Sequence, residues 1–413
     1  VLDKKKPQSS EPSETSKKMG AAIYIHIPFC KQACFYCDFH FSTSLKKKVD
    51  LIQCLVKELE LRKNTLKNLT IETIYFGGGT PSLLTVEDIQ LLIDTVYKNY
   101  HVVENPEITL EANPDDLSDA VILQLAKSPI NRLSIGIQSF FEDDLKSMNR
   151  AHNAEEAKHC LEEATKYFDN ITIDLIYGIP NMSLEKWNDN LDIAFGFGIN
   201  HISSYALTVE PKTALDTFIN KGIYPPIDES LALQHFNHLV EKTEENGFVH
   251  YEISNFGKPN YFSKHNTSYW QGKPYLGIGP SAHSFYNSTR SWHVSNNSKY
   301  IQAIQNNELP NTVEILSKND RFNEYVMTGL RTIWGVSLNR IENEFGTEFL
   351  QHLKKYSNKF LKEELLIILN EKEQITHNKK DSIFEVSVKG DILKTTQKGK
   401  FLVDGIASEL FMI

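Results

Sequence analysis

Six short runs of strand-forming residues, separated by amphipathic stretches, constrain this chain more than any other feature. The runs are Ala22 to Ile27, Thr73 to Phe76, Ile108 to Glu111, Arg132 to Ile137, Ile171 to Tyr177 and His201 to Leu207. They are rich in Ile, Tyr and Thr, which suit a pleated surface. Helical periodicity fills the gaps over Val49 to Arg62, Val86 to Lys98, Ala154 to Tyr167 and Leu184 to Phe197. Strand and helix alternate, which predicts an α/β fold with a parallel sheet. Six such units with crossovers of one hand predict a partial (β/α)6 TIM-like barrel, with a doubly wound sheet as the alternative.

The flanking regions read differently. Residues 1 to 18 are polar and carry almost no apolar side chains, so no order is expected there, and Met19 is a candidate start. Residues 19 to 300 are expected to hold the barrel. Within them, 208 to 300 are read as covering loops with one helix near Leu231 to Asn246. Residues 301 to 413 are expected to form a smaller C-terminal domain. Its clearest helix is Leu350 to Leu369, and a hairpin around Lys389-Gly390-Asp391 and a final helix over Thr396 to Phe411 give it a winged-helix-like reading.

Charge and composition remove several function classes. The 413 residues carry a net charge of -9, and the basic runs Lys4 to Lys6 and Lys46 to Lys48 are short. That is not the basic stripe of a nucleic-acid binder. No apolar run approaches the ~18 residues of a membrane span, and no apolar leader opens the chain. Five cysteines, an odd number, argue against a disulfide framework. A cytoplasmic protein with reduced thiols is expected; oligomeric state is not legible.

Three of those cysteines, Cys30, Cys34 and Cys37, fall within eight residues as CxxxCxxC, directly after the first expected strand. Structural zinc sites normally take four ligands, with cysteines in separated pairs. Cys54 and Cys160 are isolated, so zinc would need His26 or His40. Most four-iron clusters take four cysteines; three leave one iron open, which is useful only if something else binds there. The segment resembles the signature of the radical SAM family. The resemblance implies a [4Fe-4S] cluster on these thiols and S-adenosylmethionine (SAM) on the open iron. Tyr36, between the second and third cysteines, then sits where the family lays adenine; packing alone is the other reading of this residue.

The strand ends give an independent indication, because a parallel barrel builds its site there. The second strand ends in Gly77-Gly78-Gly79-Thr80, the third at Glu111, the fourth at Gln138 with Arg150 twelve residues on, and the fifth carries Asp174. Glycines allow close backbone approach to a ligand. These positions match the SAM contacts of the coproporphyrinogen-oxidase-like branch of the family. By that resemblance Tyr24, Gly79, Thr80, Glu111, Gln138, Arg150 and Asp174 contact SAM, with Gly78 in the same glycine motif and Glu111 on the ribose hydroxyls.

The branch contains oxygen-independent coproporphyrinogen III oxidases and heme chaperones of the HemW group. Cys37 is followed by Asp38 and Phe39 rather than by a further cysteine, and His265-Asn-Thr-Ser-Tyr269-Trp270 matches the HNxxYW motif of the chaperone group. Heme, with acceptor hemoproteins as partners, is the implied cargo; decarboxylation of coproporphyrinogen, or a different radical SAM reaction, is the alternative. His265 is the expected heme ligand, with His283 and His293 as rivals, since neutral imidazole is an ordinary axial ligand.

Overall fold

A computed structural model describes residues 20–370, 373–374 and 390–413. The expected extension 1–18 and the first arm of the expected hairpin, 383–389, lie outside the described residues. Six parallel strands follow one another in space as in sequence: β1 (Gly20–Ile27), β2 (Thr70–Gly78), β3 (Val102–Ala112), β4 (Arg132–Gln138), β5 (Ile171–Tyr177) and β6 (His201–Ala206). The expected partial barrel is therefore present.

Alternation along these strands separates two environments. Ile23, Ile25 and Ile27 of β1 and Leu133, Ile135 and Ile137 of β4 are fully buried among the outer helices. The intervening positions are polar: Tyr24 and His26, Thr73 and Tyr75, Glu107, Thr109 and Glu111, Arg132 and Ser134, Thr172 and Asp174. This set lines the lumen. Outside it, the helix Lys48–Leu61 buries Leu51, Leu55 and Leu59 completely, each worth about 1.5–3 kcal/mol. Capping boxes start the helices Val86–Asn99, at Thr85 and Asp88, and Ala154–Ala164, at Asn153 and Glu156. Two helices lack a clear sequence pattern and escape the periodicity, Asp119–Ala126 and Glu142–Ser147.

Residues 208–300 are more than covering loops. Besides the expected helix, here Glu229–Glu245, they supply β7 (Val249–Glu252), β8 (Asn255–Gly257), β9 (Tyr275–Ile278), β10 (His283–Tyr286) and β11 (Thr289–His293), and β12 (Asn311–Ile315) follows. All join the same twelve-stranded sheet, in the order β12-β11-β10-β9-β1-β2-β3-β4-β5-β6-β8-β7. Strands of three to five residues show no readable period of two, so this region has the sequence pattern of loops.

Tyr300, Ile301 and Ile304 pack in the barrel core, whereas a second core begins at Phe322. The change of core thus falls later than residue 301. The second unit packs the helices Lys318–Leu330, Leu338–Phe345 and Thr347–Lys362 on a small sheet of β13 (Val336–Ser337), β15 (Ile392–Thr395) and β14 (Leu366–Leu369). The expected helix Leu350 to Leu369 is corrected at its end. It stops at Lys362, Glu364 takes a φ of 59°, and the Leu366–Leu369 run pairs with β15. The two units are joined by backbone bonds from Ile253 N–H to Arg331 O (3.1 Å) and from Ile333 N–H to Tyr251 O (3.0 Å).

Candidate functional site

The cysteine loop leaves the C-terminal end of β1 and is clamped from several sides. Lys31 pairs with Asp115 (2.9 Å) and with Asp116. Gln32 Nε2 donates to Asn149 Oδ1 (2.9 Å), and Asn149 Nδ2 donates to Ala33 O (2.7 Å). Phe35 N–H donates to Met148 O and Phe35 O accepts from Leu215 N–H. Underneath, Gly79 N–H and Thr80 N–H donate to Ile27 O (2.9 Å) and Phe29 O (2.6 Å). A Cβ on Gly79 would lie 2.6 Å from Phe29 O, and one on Gly78, where φ is +111°, would lie 2.5 Å from the His26 ring. These glycines therefore bring β2 against the loop's base.

At the strand ends a ring of polar groups faces this loop. Glu111 accepts from Tyr75 Oη–H (2.8 Å) and Gly78 N–H (3.1 Å). The N–H groups of Gly78, Gly79 and Thr80 are thus all committed within the protein; what this turn has to offer an amino group is carbonyl oxygen. Gln138 ends β4 with φ 66°, beside a register shift in the β4–β5 pairing. A left-handed non-glycine residue at a strand end stores strain of the kind found at functional positions. Arg150 donates to Asn113 Oδ1 (2.7 Å), Gly136 O (2.9 Å) and Cys34 Sγ (3.3 Å). Its Nε is buried with no acceptor. Tyr36 packs against the barrel core beside Arg150. Asp174 is pushed up to about 7, first by burial and then by the Glu111 charge, with Arg132 opposing. Burial likewise raises Glu111.

Sequence comparison places this geometry. Residues 24–194 match the radical SAM superfamily and residues 316–378 the HemN C-terminal domain. The chain is 32% identical over 387 residues to the heme chaperone HemW of Lactococcus lactis, covering 93% of this chain and 98% of that protein. The chain belongs to the HemW family of radical SAM proteins. The HemW of Bacillus subtilis is 34% identical over 331 residues, covering 79% and 87% of the two chains. In fold, the coproporphyrinogen III oxidase HemN of Escherichia coli superposes with a TM-score of 0.78 at 20% identity, over 97% of this chain and 92% of that one.

A radical SAM domain implies a [4Fe-4S] cluster and SAM, and the residues of this HemW-family chain fit both. The three thiols are free and half-buried, whereas Cys54 and Cys160 are buried elsewhere. Among the described residues no three Cys, His, Asp or Glu side chains converge on a single ion. Burial pushes Cys37 up to about 11 and raises Cys30, so loading releases protons. The orphaned Nε of Arg150 calls for an acceptor, and the carboxylate of SAM is one.

The family's histidine motif lies deeper than expected. His265 is the second residue of the short helix Lys264–Trp270 and is 1% exposed. Its Nδ1 meets Thr73 Oγ1 (2.7 Å), its Nε2 meets Tyr269 Oη (2.8 Å), and its ring stacks on Tyr75. Burial depresses it to about 3. Both ring nitrogens are thus engaged within the protein in this geometry. His293 is also buried, 3.3 Å from Glu58. His283 is exposed. Sequence reasoning missed Asn113, which holds Arg150 and donates to Thr80 Oγ1 (3.3 Å), and Arg132, the buried cation among the lumen acids. An arginine opening an otherwise apolar strand was the available signal for the latter.

Proposed function

We infer that this protein is a radical SAM heme chaperone, which binds a [4Fe-4S] cluster, SAM and heme and passes the heme to hemoproteins. The observation that carries this reading is the preformed cysteine loop facing an acid–amide–arginine ring, in a chain matched along nearly its whole length by proteins named as heme chaperones. Cys30, Cys34 and Cys37 hold the cluster. When bound, the cluster supplies the electron for reductive cleavage of SAM. Arg150 takes the SAM carboxylate through the group left without an acceptor, and the Gly78–Gly79–Thr80 turn takes its amino group. Glu111 accepts from the ribose hydroxyls, and Gln138 and Asp174 close the ring. Tyr24 borders the site, its hydroxyl 3.1 Å from His26 Nδ1. Tyr36 steadies the adenine and Arg150 together. A cytoplasmic setting agrees with reduced thiols, and among the described residues no helix is long and apolar enough to cross a membrane.

Anaerobic reconstitution followed by hemin titration and transfer to apomyoglobin tests the reading. Saturable hemin binding and transfer faster than from serum albumin are expected. Formation of protoporphyrinogen from coproporphyrinogen, with reductant and SAM present, would replace this reading by the oxidase.

A further inference from the structure

Asn113 stands two residues after Glu111 and directly before Pro114, just beyond the end of β3. A proline disfavours the helical region for the residue before it, and Asn113 is extended, with φ -99° and ψ 147°. Its backbone is held on both sides. The N–H donates to Ser82 Oγ (3.2 Å) and the carbonyl accepts from Asp116 N–H (3.1 Å). Ser82 Oγ–H in turn donates to Asp116 (2.8 Å), the carboxylate that pairs with Lys31 of the cysteine loop. The Asn113 side chain therefore starts from a fixed point.

The amide at its tip has one acceptor end and one donor end, and its neighbours decide which is which. A guanidinium can only donate, so the atom 2.7 Å from Arg150 Nη2 is Oδ1. That leaves Nδ2 as the donor to Thr80 Oγ1 (3.3 Å). A hydroxyl that accepts on one side has its hydrogen free for another partner. Burial raises the Cys30 thiol, and the hydrogen bond from Thr80 opposes that rise. Arg150, held at Nη2, turns Nη1 onto Cys34 Sγ at 3.3 Å. One amide thus aims two donors at two of the three thiols.

Gly136 makes room for this arrangement. A Cβ there would lie 2.9 Å from Gln138 Nε2, 3.1 Å from Arg150 Nη2 and 3.4 Å from Asn113 Oδ1. No carboxylate is paired with Arg150 among the described residues; its acceptors include the Asn113 amide, the Gly136 carbonyl and Cys34. An aspartate at 113 would hold the guanidinium with the same reach, but it would neutralise the charge and draw the Thr80 hydrogen away from Cys30. The uncharged amide holds both partners and leaves the positive charge to the thiolates and to a ligand carboxylate at the unpartnered Nε. Hydrogen bonds and positive charge at the sulfurs of an iron–sulfur cluster favour its reduced state.

We propose that Asn113 is a positioning residue that sets the reduction potential of the cluster and the charge offered to SAM, by aiming Arg150 at Cys34 and Thr80 at Cys30. The proposal rests on the cluster-and-SAM reading of this site and adds the residue that tunes it. The test uses the full chain, reconstituted anaerobically. The potential is read by electron paramagnetic resonance during a mediated reductive titration, and SAM affinity by equilibrium dialysis. Asn113→Ala should shift the reduction equilibrium about tenfold towards the oxidised cluster, ~59 mV for one electron, and weaken SAM several-fold. Asn113→Asp keeps the size and the Arg150 contact, so it should load its cluster as wild type does. Its charge and its pull on Thr80 should lower the potential further. It should weaken SAM by about tenfold, the difference between a charge-assisted and a neutral contact. A merely structural amide would give a lower melting temperature with the wild-type potential and SAM affinity in the loaded variants, and that result overturns the proposal. So does a raised potential. Should Asn113→Ala fail to load, Asn113→Asp decides; failure of this isosteric variant to load would make the residue one of assembly and overturn the tuning role. A wild-type chain that takes up no cluster, or binds no SAM, would remove the underlying reading and the proposal with it.

Discussion

The cysteine loop with its strand-end ring and a heme-sized cavity beside it share a border at Tyr24 and His26, yet they are built in different ways. The ring hangs on near-equivalent units. Glu111 and Gln138 end their parallel strands, Asp174 sits midway along β5, and the loop leaves the end of β1. The cavity, of about 880 Å³, is composite: short strands of the barrel edge, one seven-residue helix and a wall from the C-terminal domain. Regular units set a site by repetition, so one strand's geometry predicts the next. A composite wall depends on three segments meeting, and each can move without the others.

If the two regions are separate devices, damage to the first should spare the second. Cys30→Ala, Cys34→Ala and Cys37→Ala should each abolish the ~400 nm absorbance expected of a thiolate-bound cluster. Hemin affinity should stay within about twofold of wild type, since a lost rim contact is worth less than ~0.5 kcal/mol. Retention of iron and sulfide in all three variants would remove the cluster assignment. A parallel collapse of hemin binding would join the two regions into one.

Gly79→Ala attacks the same loop through its base. The new Cβ meets the Phe29 and Ile27 carbonyl oxygens at 2.6 and 2.9 Å, and backbone cannot swing aside as a side chain does. A cost of about 2–3 kcal/mol is expected, read as a lower denaturation midpoint and poorer cluster occupancy. Equal stability and loading would mean that the loop tolerates displacement and is not preformed.

Asp174→Asn tests the electrostatics of the ring. In the folded protein Asp174 titrates near 7, chiefly because burial disfavours its charge, whereas unfolded it titrates near ~3.9. The folded state therefore binds more protons between these values. Stability from this group is fully present below about pH 4 and is lost as pH rises through about 7. The uncharged amide of the variant carries no such penalty. Cluster-free variant should exceed wild type by on the order of 2 kcal/mol at pH 8, with the gap closing towards pH 4. A gap independent of pH would point to packing rather than charge.

These residues also show what the chain discloses before it folds. The six strands were legible because each carries β-branched or aromatic residues in a short run and helical periods separate most of them. The strand ends were legible because the barrel rule converts order along the chain into position around a ring. The environment of His265 was not. Its motif shows a histidine among aromatics, but Thr73 and Tyr269 occupy both ring nitrogens only after β2 and the helix Lys264–Trp270 meet. Strands β7 to β11 were too short for a period of two to register.

The smallest expected effect concerns Lys31, and it decides how the loop is held. Lys31 is 42% exposed in its side chain, and it bridges Asp115 and Asp116 from between the first two cysteines. Exposed ion pairs contribute about 0–1 kcal/mol, and Asp116 retains Ser82 as a donor at 2.8 Å when the lysine is gone. Lys31→Met keeps the alkyl stem and removes only the charge. The variant should lose no more than about 1 kcal/mol, and less again at high salt, because screening already weakens the pair it lacks. Gln32, Asn149 and the Phe35 backbone bonds remain to place the thiols, so cluster content should stay at the wild-type level. A large drop in cluster content with unchanged stability would show that the charge of Lys31, rather than the hydrogen-bonded clamp, sets the loop for iron.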